Sequence, residues 1–396
     1  MSNIRKMYLV GFLRNFHLFG GVMVPMLTVW GGISFTTVLL LQSLFMFCVN
    51  IFEIPTGLVA DVFGRKVSMF CGLVVGVIGF TVYTLQPALP FFIAGEILLA
   101  LATALMSGSD KALLYDSLVE SELEHTADKV QSRLRSFQMI GLLVATPLGS
   151  VIGYAGNLIL PMQITAFVTG LAAICVLTLK EPRIASEEPT EKGYRWTSLF
   201  DGIRIIRKDP HLGSLAFDLI STTVLARPMI WLYQPLLEFH GFPIWTYGFV
   251  HAGSVIVEVI VMNNTIIMDK LCRNREGTLR TTTILTMIGY ACAGISIVVA
   301  QGLYSLVLAL IGIVMVVGFG LSREPLFTQL LNERIPSRRR TTTLSTINML
   351  TSFGSFVINP ITGVLTSVCF ALPFGSYGFL LSTKLAMQQL LRKPRP

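Results

Sequence analysis

Charge is scarce in this sequence. Asp, Glu, Lys and Arg make up only 13% of its 396 residues, about half of the near-quarter share usual in soluble proteins, while 53% of the residues are hydrophobic. That balance excludes an ordinary water-soluble fold. Cysteine is scarce as well: six residues, Cys48, Cys71, Cys175, Cys272, Cys292 and Cys369, form no C-x-x-C pair, which argues against a disulfide framework or a zinc site. The chain also lacks a G-x-x-x-x-G-K-[ST] phosphate cradle, a cluster of metal-ligand residues and a Ser-His-Asp set. Neither ATP-driven pumping nor catalysis therefore has support, and the chain reads as a non-enzyme without cofactor or metal.

What the sequence has in abundance is long apolar runs. A helix crossing the roughly 30 Å hydrocarbon layer needs about 20 mostly apolar residues. Reading these runs against Gly, Pro and charge punctuation predicts spans near 8–31, 34–60, 67–86, 91–115, 136–155, 158–179, 212–236, 244–268, 281–300, 303–331, 341–364 and 367–388. The fold class is thus an all-α polytopic membrane protein of twelve transmembrane helices, arranged as two pseudo-symmetric six-helix bundles. Residues 1–180 form the first bundle, 181–210 a cytoplasmic linker and 211–396 the second bundle. The short basic start, Met1 to Lys6, runs into a first span too long for a cleaved signal peptide and is read as retained.

The net charge of +8 matters less than its placement. With the N-terminus in the cytoplasm, nearly all Lys and Arg fall in the inside connections and at the two ends, and the outside connections carry none. This asymmetry predicts a cytoplasmic membrane protein with both termini inside, its basic residues facing lipid headgroups rather than nucleic acid. Within the linker, segment 195–208 interleaves Trp196, Leu199, Phe200, Ile203, Ile205 and Ile206 with Arg204, Arg207 and Lys208. It reads either as an amphipathic helix on the inner leaflet or as a polar connection. The halves also match weakly. A shift of about 213 lays Asp110 on Arg323 and Pro147 on Pro360, and one near 208 lays the loop at Asp61 on that at Asp269.

Between the second and third spans stands Gly57-Leu58-Val59-Ala60-Asp61-Val62-Phe63-Gly64-Arg65-Lys66. It resembles the G-x-L-a-D-x-x-G-R-K signature of the major facilitator superfamily. The resemblance implies a conformational latch made of Gly57, Asp61, Gly64, Arg65 and Lys66. Gly64 suits a tight turn, Asp61 can sit against a helix N-terminus, and Asp116 is the natural carboxylate mate of Arg65. Phe52 to Gly57 and Ser107 to Leu118 resemble a prokaryotic branch near the drug-proton antiporters. Two departures stand out: Lys111 where that branch implies Glu, and Leu142 to Val151 where it implies G-x-x-x-G-P-x-x-G-G.

Ionisable groups in hydrocarbon cost several kcal/mol and so face a cavity or a partner. Arg14, Asn15, Glu53, Asp218, Arg227 and Glu258 are the candidates for a substrate or proton pathway. Glu53 or Glu258 would carry a coupling proton, with Arg14 or Arg227 as its state-dependent partner. Asp110-Lys111 and Arg323-Glu324 read as structural, His17 and His251 as packing residues, and Glu96 as a solvated carboxylate near the outer surface or a carrier residue. Trp30, Trp231, Tyr233, Trp245 and Tyr247 read as interfacial anchors. The function these features imply is secondary transport of a small-molecule substrate by alternating access, as a monomer, in the form of proton-coupled export of amphipathic compounds. The alternatives are a carrier or exchanger for an anionic metabolite and a non-transporting receptor on the same fold.

Overall fold

The computed structural model describes residues 3–182, 196–299, 302–323, 327 and 337–392. Within these ranges it does not describe the side chains of Ile54, Asp61, 196–200, 337–341 and 389–392. Among the described residues all regular structure is helical. Among the described residues ten helices are long and apolar enough to cross a membrane, or eleven with one bent pair counted as a single span. The last predicted crossing coincides with the continuous helix Leu372–Arg392.

Local sequence explains where the helices begin and bend. Pro90 and Pro161 stand in the first turns of Leu89–Met106 and Leu160–Leu177, where the missing N–H costs nothing. Asp209 caps Pro210–Ala226 by accepting from the backbone N–H groups of His211 at 2.9 Å and Leu212 at 3.2 Å. Pro147 and Pro360, matched by the internal shift, each lie eight residues before the end of a long helix, at Ala155 and Val368 respectively.

The first predicted span is not one straight helix. Asn3–Arg14 gives way to a 3₁₀ turn at Leu18–Gly21, and the next segment, Met23–Trp30, leaves at 60°. The Gly20-Gly21 pair and Pro25 lie where the helix fails, as expected for a sharp kink. Packing exploits the bend. A Cβ on Gly149 would fall 1.7 Å from the Leu18 carbonyl oxygen, and one on Gly21 would fall 2.9 Å from that of Thr146. The seventh span is interrupted too, at Arg227-Pro228 between Pro210–Ala226 and Met229–Phe239.

The chain divides into two compact units. The first comprises Met1–Ser34, Leu41–Arg195 and Ile244–Ala252, and the second Phe35–Leu40, Trp196–Pro243 and Gly253–Pro396. The main division falls between Arg195 and Trp196. Met7, Val10, Met69, Leu73, Met106, Leu113 and Leu134 belong to the apolar core of the first unit. In the second unit Leu212, Leu215, Leu219, Leu279, Phe327 and Ile347 pack together, with Ile205 and Ile206 against them. The Trp196–Lys208 helix therefore docks on protein. A Cβ on its Gly202 would lie 1.9 Å from Thr346 Oγ1, so only glycine permits this approach to Ser337–Val368.

Candidate functional site

In the first unit, Arg14 ends the opening helix, and its Nη1 lies 3.1 Å from Asp110 Oδ2 on the Ser109–Val119 helix. Their side chains are 27% and 14% exposed. The pair is therefore enclosed but not sealed, and Met7, Val10, Met69 and Met106 line the small cavity beside it. Asn15 donates to the Gly11 carbonyl at 2.9 Å, closing the helix end. Glu53 on Phe35–Phe63 is exposed, and its Oε1 accepts from Ser107 Oγ at 3.4 Å.

The loop after Phe35–Phe63 is organised by Gly64, whose φ of +91° is a conformation natural to glycine. Arg65 pairs with Asp116. The backbone N–H groups of Arg65 and Lys66 donate to Glu181 Oε1 and Oε2 at 2.8 and 2.9 Å. Glu181 thereby fills the anion position at the start of Arg65–Tyr83. The Asp61 side chain lies outside the described residues, and Gly57 is exposed. The corresponding loop of the second unit holds Asp269, which accepts from Arg275 Nε at 3.1 Å and Thr278 Oγ1 at 2.7 Å.

The second unit buries a larger charge cluster. Asp218 on Pro210–Ala226 pairs with Arg323 through Oδ2 and with Lys384 Nζ through Oδ1 at 2.6 Å. Gln388 Nε2 donates to the same Oδ1 at 3.2 Å. Arg323 Nη1 donates to Thr283 Oγ1 at 2.7 Å, and Lys384 reaches Thr222 Oγ1 and the Asp218 carbonyl. Arg323 is fully buried, and among the described residues its Nε has no acceptor. One carboxylate thus holds two cations, and two hydroxyl oxygens and a carbonyl oxygen accept further donors of the pair. Asp218 also lines a small cleft of about 20 Å³ with Ser214, Glu276, Arg280, Leu385 and Gln388. Sequence reasoning picked out Asp218, treated Arg323 as structural and passed over Lys384, whose place near a chain end resembled that of a loop cation. Glu324 lies outside the described residues.

Arg227 sits at the break in the seventh span and Glu258 on Tyr247–Asn263; both are half-buried and engaged with neighbouring groups. Of the two readings of Glu96, the solvated one does not hold: it is 2% exposed. Its Oε1 accepts from Gln42 Nε2 at 2.7 Å and from the Tyr83 hydroxyl at 2.8 Å. Tyr233 and Tyr247 are likewise buried rather than interfacial, each 1% exposed.

Comparison with known proteins agrees with this architecture. The Major Facilitator Superfamily profile matches residues 8–358. No curated protein matches the chain in sequence. Among solved structures, the nucleoside transporter NupG superposes with a TM-score of 0.81 at 14% identity, covering 99% of this chain and 100% of that one. A POT family transporter in complex with 5-aminolevulinic acid gives 0.75 at 13% identity, with 98% and 95% coverage. A D-xylose-proton symporter gives 0.74 at 14%, with 96% of each chain covered. With its all-helical fold, its apolar spans and this match over most of its length, the chain is a multi-pass membrane protein that belongs to the Major Facilitator Superfamily, a superfamily of transporters.

Proposed function

We propose that the chain is a secondary active transporter that moves a small solute by alternating access, coupled to protons and exporting amphipathic compounds. The observation that carries this reading is the burial of ionisable groups at matching helices of both units: Arg14 with Asp110, and Asp218 with Arg323 and Lys384. Each is expensive in hydrocarbon, and packing alone would be served more cheaply by apolar residues. The 60° break in the first span adds to the argument. Transporters use discontinuous helices to present backbone and side-chain polar groups to a solute. The resemblance of Phe52 to Gly57 and Ser107 to Leu118 to drug-proton antiporters supports export, and the D-xylose-proton symporter among the structural neighbours supports a proton as the coupling ion.

The placement of Lys and Arg supports a cytoplasmic membrane with both termini inside. In that orientation Gly57, Asp61, Gly64, Arg65, Lys66 and Asp116 form a cytoplasmic latch that closes in one state and opens in the other. A second reading has its own observation. Two cations share one carboxylate in the second unit, and this surplus of positive charge favours an anionic solute.

Counterflow in proteoliposomes separates the two. A labelled panel of amphipathic cations, nucleosides, sugars and small carboxylates is offered with and without an imposed pH gradient. Accumulation of an amphipathic compound driven by the gradient is the expected result. Gradient-independent exchange confined to carboxylates would favour the anion carrier, and no counterflow with any compound would count against transport.

A further inference from the structure

The Leu89–Met106 helix buries a carboxyl group that no cation pairs with among the described residues. Glu96 lies seven residues into this helix, about 10 Å along its axis. Gln42 reaches it from Phe35–Phe63 and Tyr83 from the end of Arg65–Tyr83. Gly95 makes the approach possible: a Cβ there would lie 2.3 Å from Tyr83 Cδ2, so the bare backbone lets the ring pass and its hydroxyl reach the neighbouring residue. The remaining wall is aromatic. The Tyr83 and Phe92 ring centroids are 5.4 Å apart, and those of Phe92 and Trp30 are 6.0 Å apart. Tyr83 and Cys48 are the titratable groups facing Glu96, and among the described residues no Lys, Arg or His forms an ion pair with it.

Burial without a cation discriminates between protonation states. Both donors converge on Oε1, which has two lone pairs, and among the described residues no group donates to Oε2. An ionised carboxylate spreads its charge over both oxygens, and at 2% exposure with no cation paired to it among the described residues that charge costs several kcal/mol, which two donors on one oxygen offset only in part. In the acid, Oε1 is the carbonyl oxygen and both lone pairs are used, while Oε2 carries the hydrogen. We infer that Gln42, Tyr83 and Glu96 form a proton-binding site, with the proton on Glu96 Oε2. Its proton passes to water only when helix movement wets the site. This rests on the transporter reading and replaces Glu53 and Glu258 with Glu96 as the carrier of the coupling proton.

Infrared difference spectroscopy of the purified protein in liposomes tests the site directly. At neutral pH a carbonyl stretch of a protonated carboxyl is expected, lost in Glu96→Gln and shifted in Tyr83→Phe and Gln42→Ala, which each remove one donor to that carbonyl. A spectrum identical in wild type and Glu96→Gln overturns the proposal. If Glu96→Gln does not insert, the two donor variants decide: a shifted band supports the site, and an unmoved one overturns it. The band requires no substrate, so a protein that fails to transport can still show it, and a transporter can lack it. In proteoliposomes Glu96→Gln should retain exchange of a transported compound and lose its pH-driven accumulation. Full pH-driven accumulation in that variant overturns the coupling role.

Discussion

In the first unit a cation on the opening helix meets an anion on a later one; in the second unit the signs are exchanged. Arg14 faces Asp110, Asp218 faces Arg323, and the internal repeat lays Asp110 on Arg323. The Arg14–Asp110 pair is balanced in charge and reached by water, at 27% and 14% exposure. The Asp218–Arg323 pair is sealed, at 8% and 0%, and includes the further cation Lys384 at 5%. A pair that water already reaches can open at little cost as helices shift. A closed cluster in which one carboxylate holds two cations cannot lose that carboxylate without stranding both. The two units thus place opposite-signed pairs at matching positions with opposite mechanical consequences: one suited to exchanging partners, the other to holding three helices together.

The largest effect is expected from Asp218→Asn. Removing the partner of a buried ion costs about 3–5 kcal/mol, and here two cations are stranded, so thermal unfolding in detergent should shift strongly downward or the protein should fail to accumulate. Lys384→Met, which leaves the Asp218–Arg323 pair intact, should cost clearly less. A melting temperature for Asp218→Asn equal to that of wild type would break the comparison.

Next comes the open pair. Asp110→Asn and Arg14→Ala should each cost about 1 kcal/mol or less, because exposure screens the interaction. Combining Arg14→Asp with Asp110→Arg reproduces the order of signs in the second unit and should recover what either single change loses. Should Asp110→Asn destabilise as much as Asp218→Asn, the distinction between an exchangeable and a fixed pair fails.

The smallest effect separates the two turns after the second and eighth spans. Gly64 takes φ +91° in the first unit, whereas a non-glycine residue, Arg273, takes φ +68° in the second. A left-handed backbone at a residue with a Cβ costs about 1 kcal/mol, so Arg273→Gly should raise the melting transition slightly. Gly64→Ala should lower it, and there the added Cβ would also come within 3.1 Å of Glu181 Oε1. Equal shifts of the same sign would show that the two turns are not equivalent in strain.

Much of this architecture was legible in the residues. Apolar length marked the spans, Gly64-Arg65-Lys66 marked the turn, and Pro147 and Pro360 marked equivalent points of two long helices. Facing was harder to read. Position along a helix indicates depth but not which side a residue presents, so Glu96 read equally as a solvated carboxylate or a carrier residue, and its burial decides against solvation. Lys384 escaped notice because a cation near a chain end is ordinarily a topology signal, and its burial depends on Asp218, 166 residues away. Glu181 caps a helix whose first residues precede it by more than a hundred positions, and no local pattern announces such a partner. The break near Gly20-Gly21 did have a local signal in the glycine pair and Pro25, which long apolar runs on either side masked.

Glu181 also sets where the chain can be divided. The carboxylate that completes the turn at Gly64 comes from the far end of the first six spans, immediately before the connecting segment. A half-molecule ending at residue 180 would keep all six spans and yet lack the acceptor for the Arg65 and Lys66 N–H groups. One extended beyond Pro182 would carry that acceptor with it. For co-expressed fragments, circular permutants or reporters placed in the connection, the natural seam therefore lies just after this carboxylate and not at the hydrophobic boundary before it.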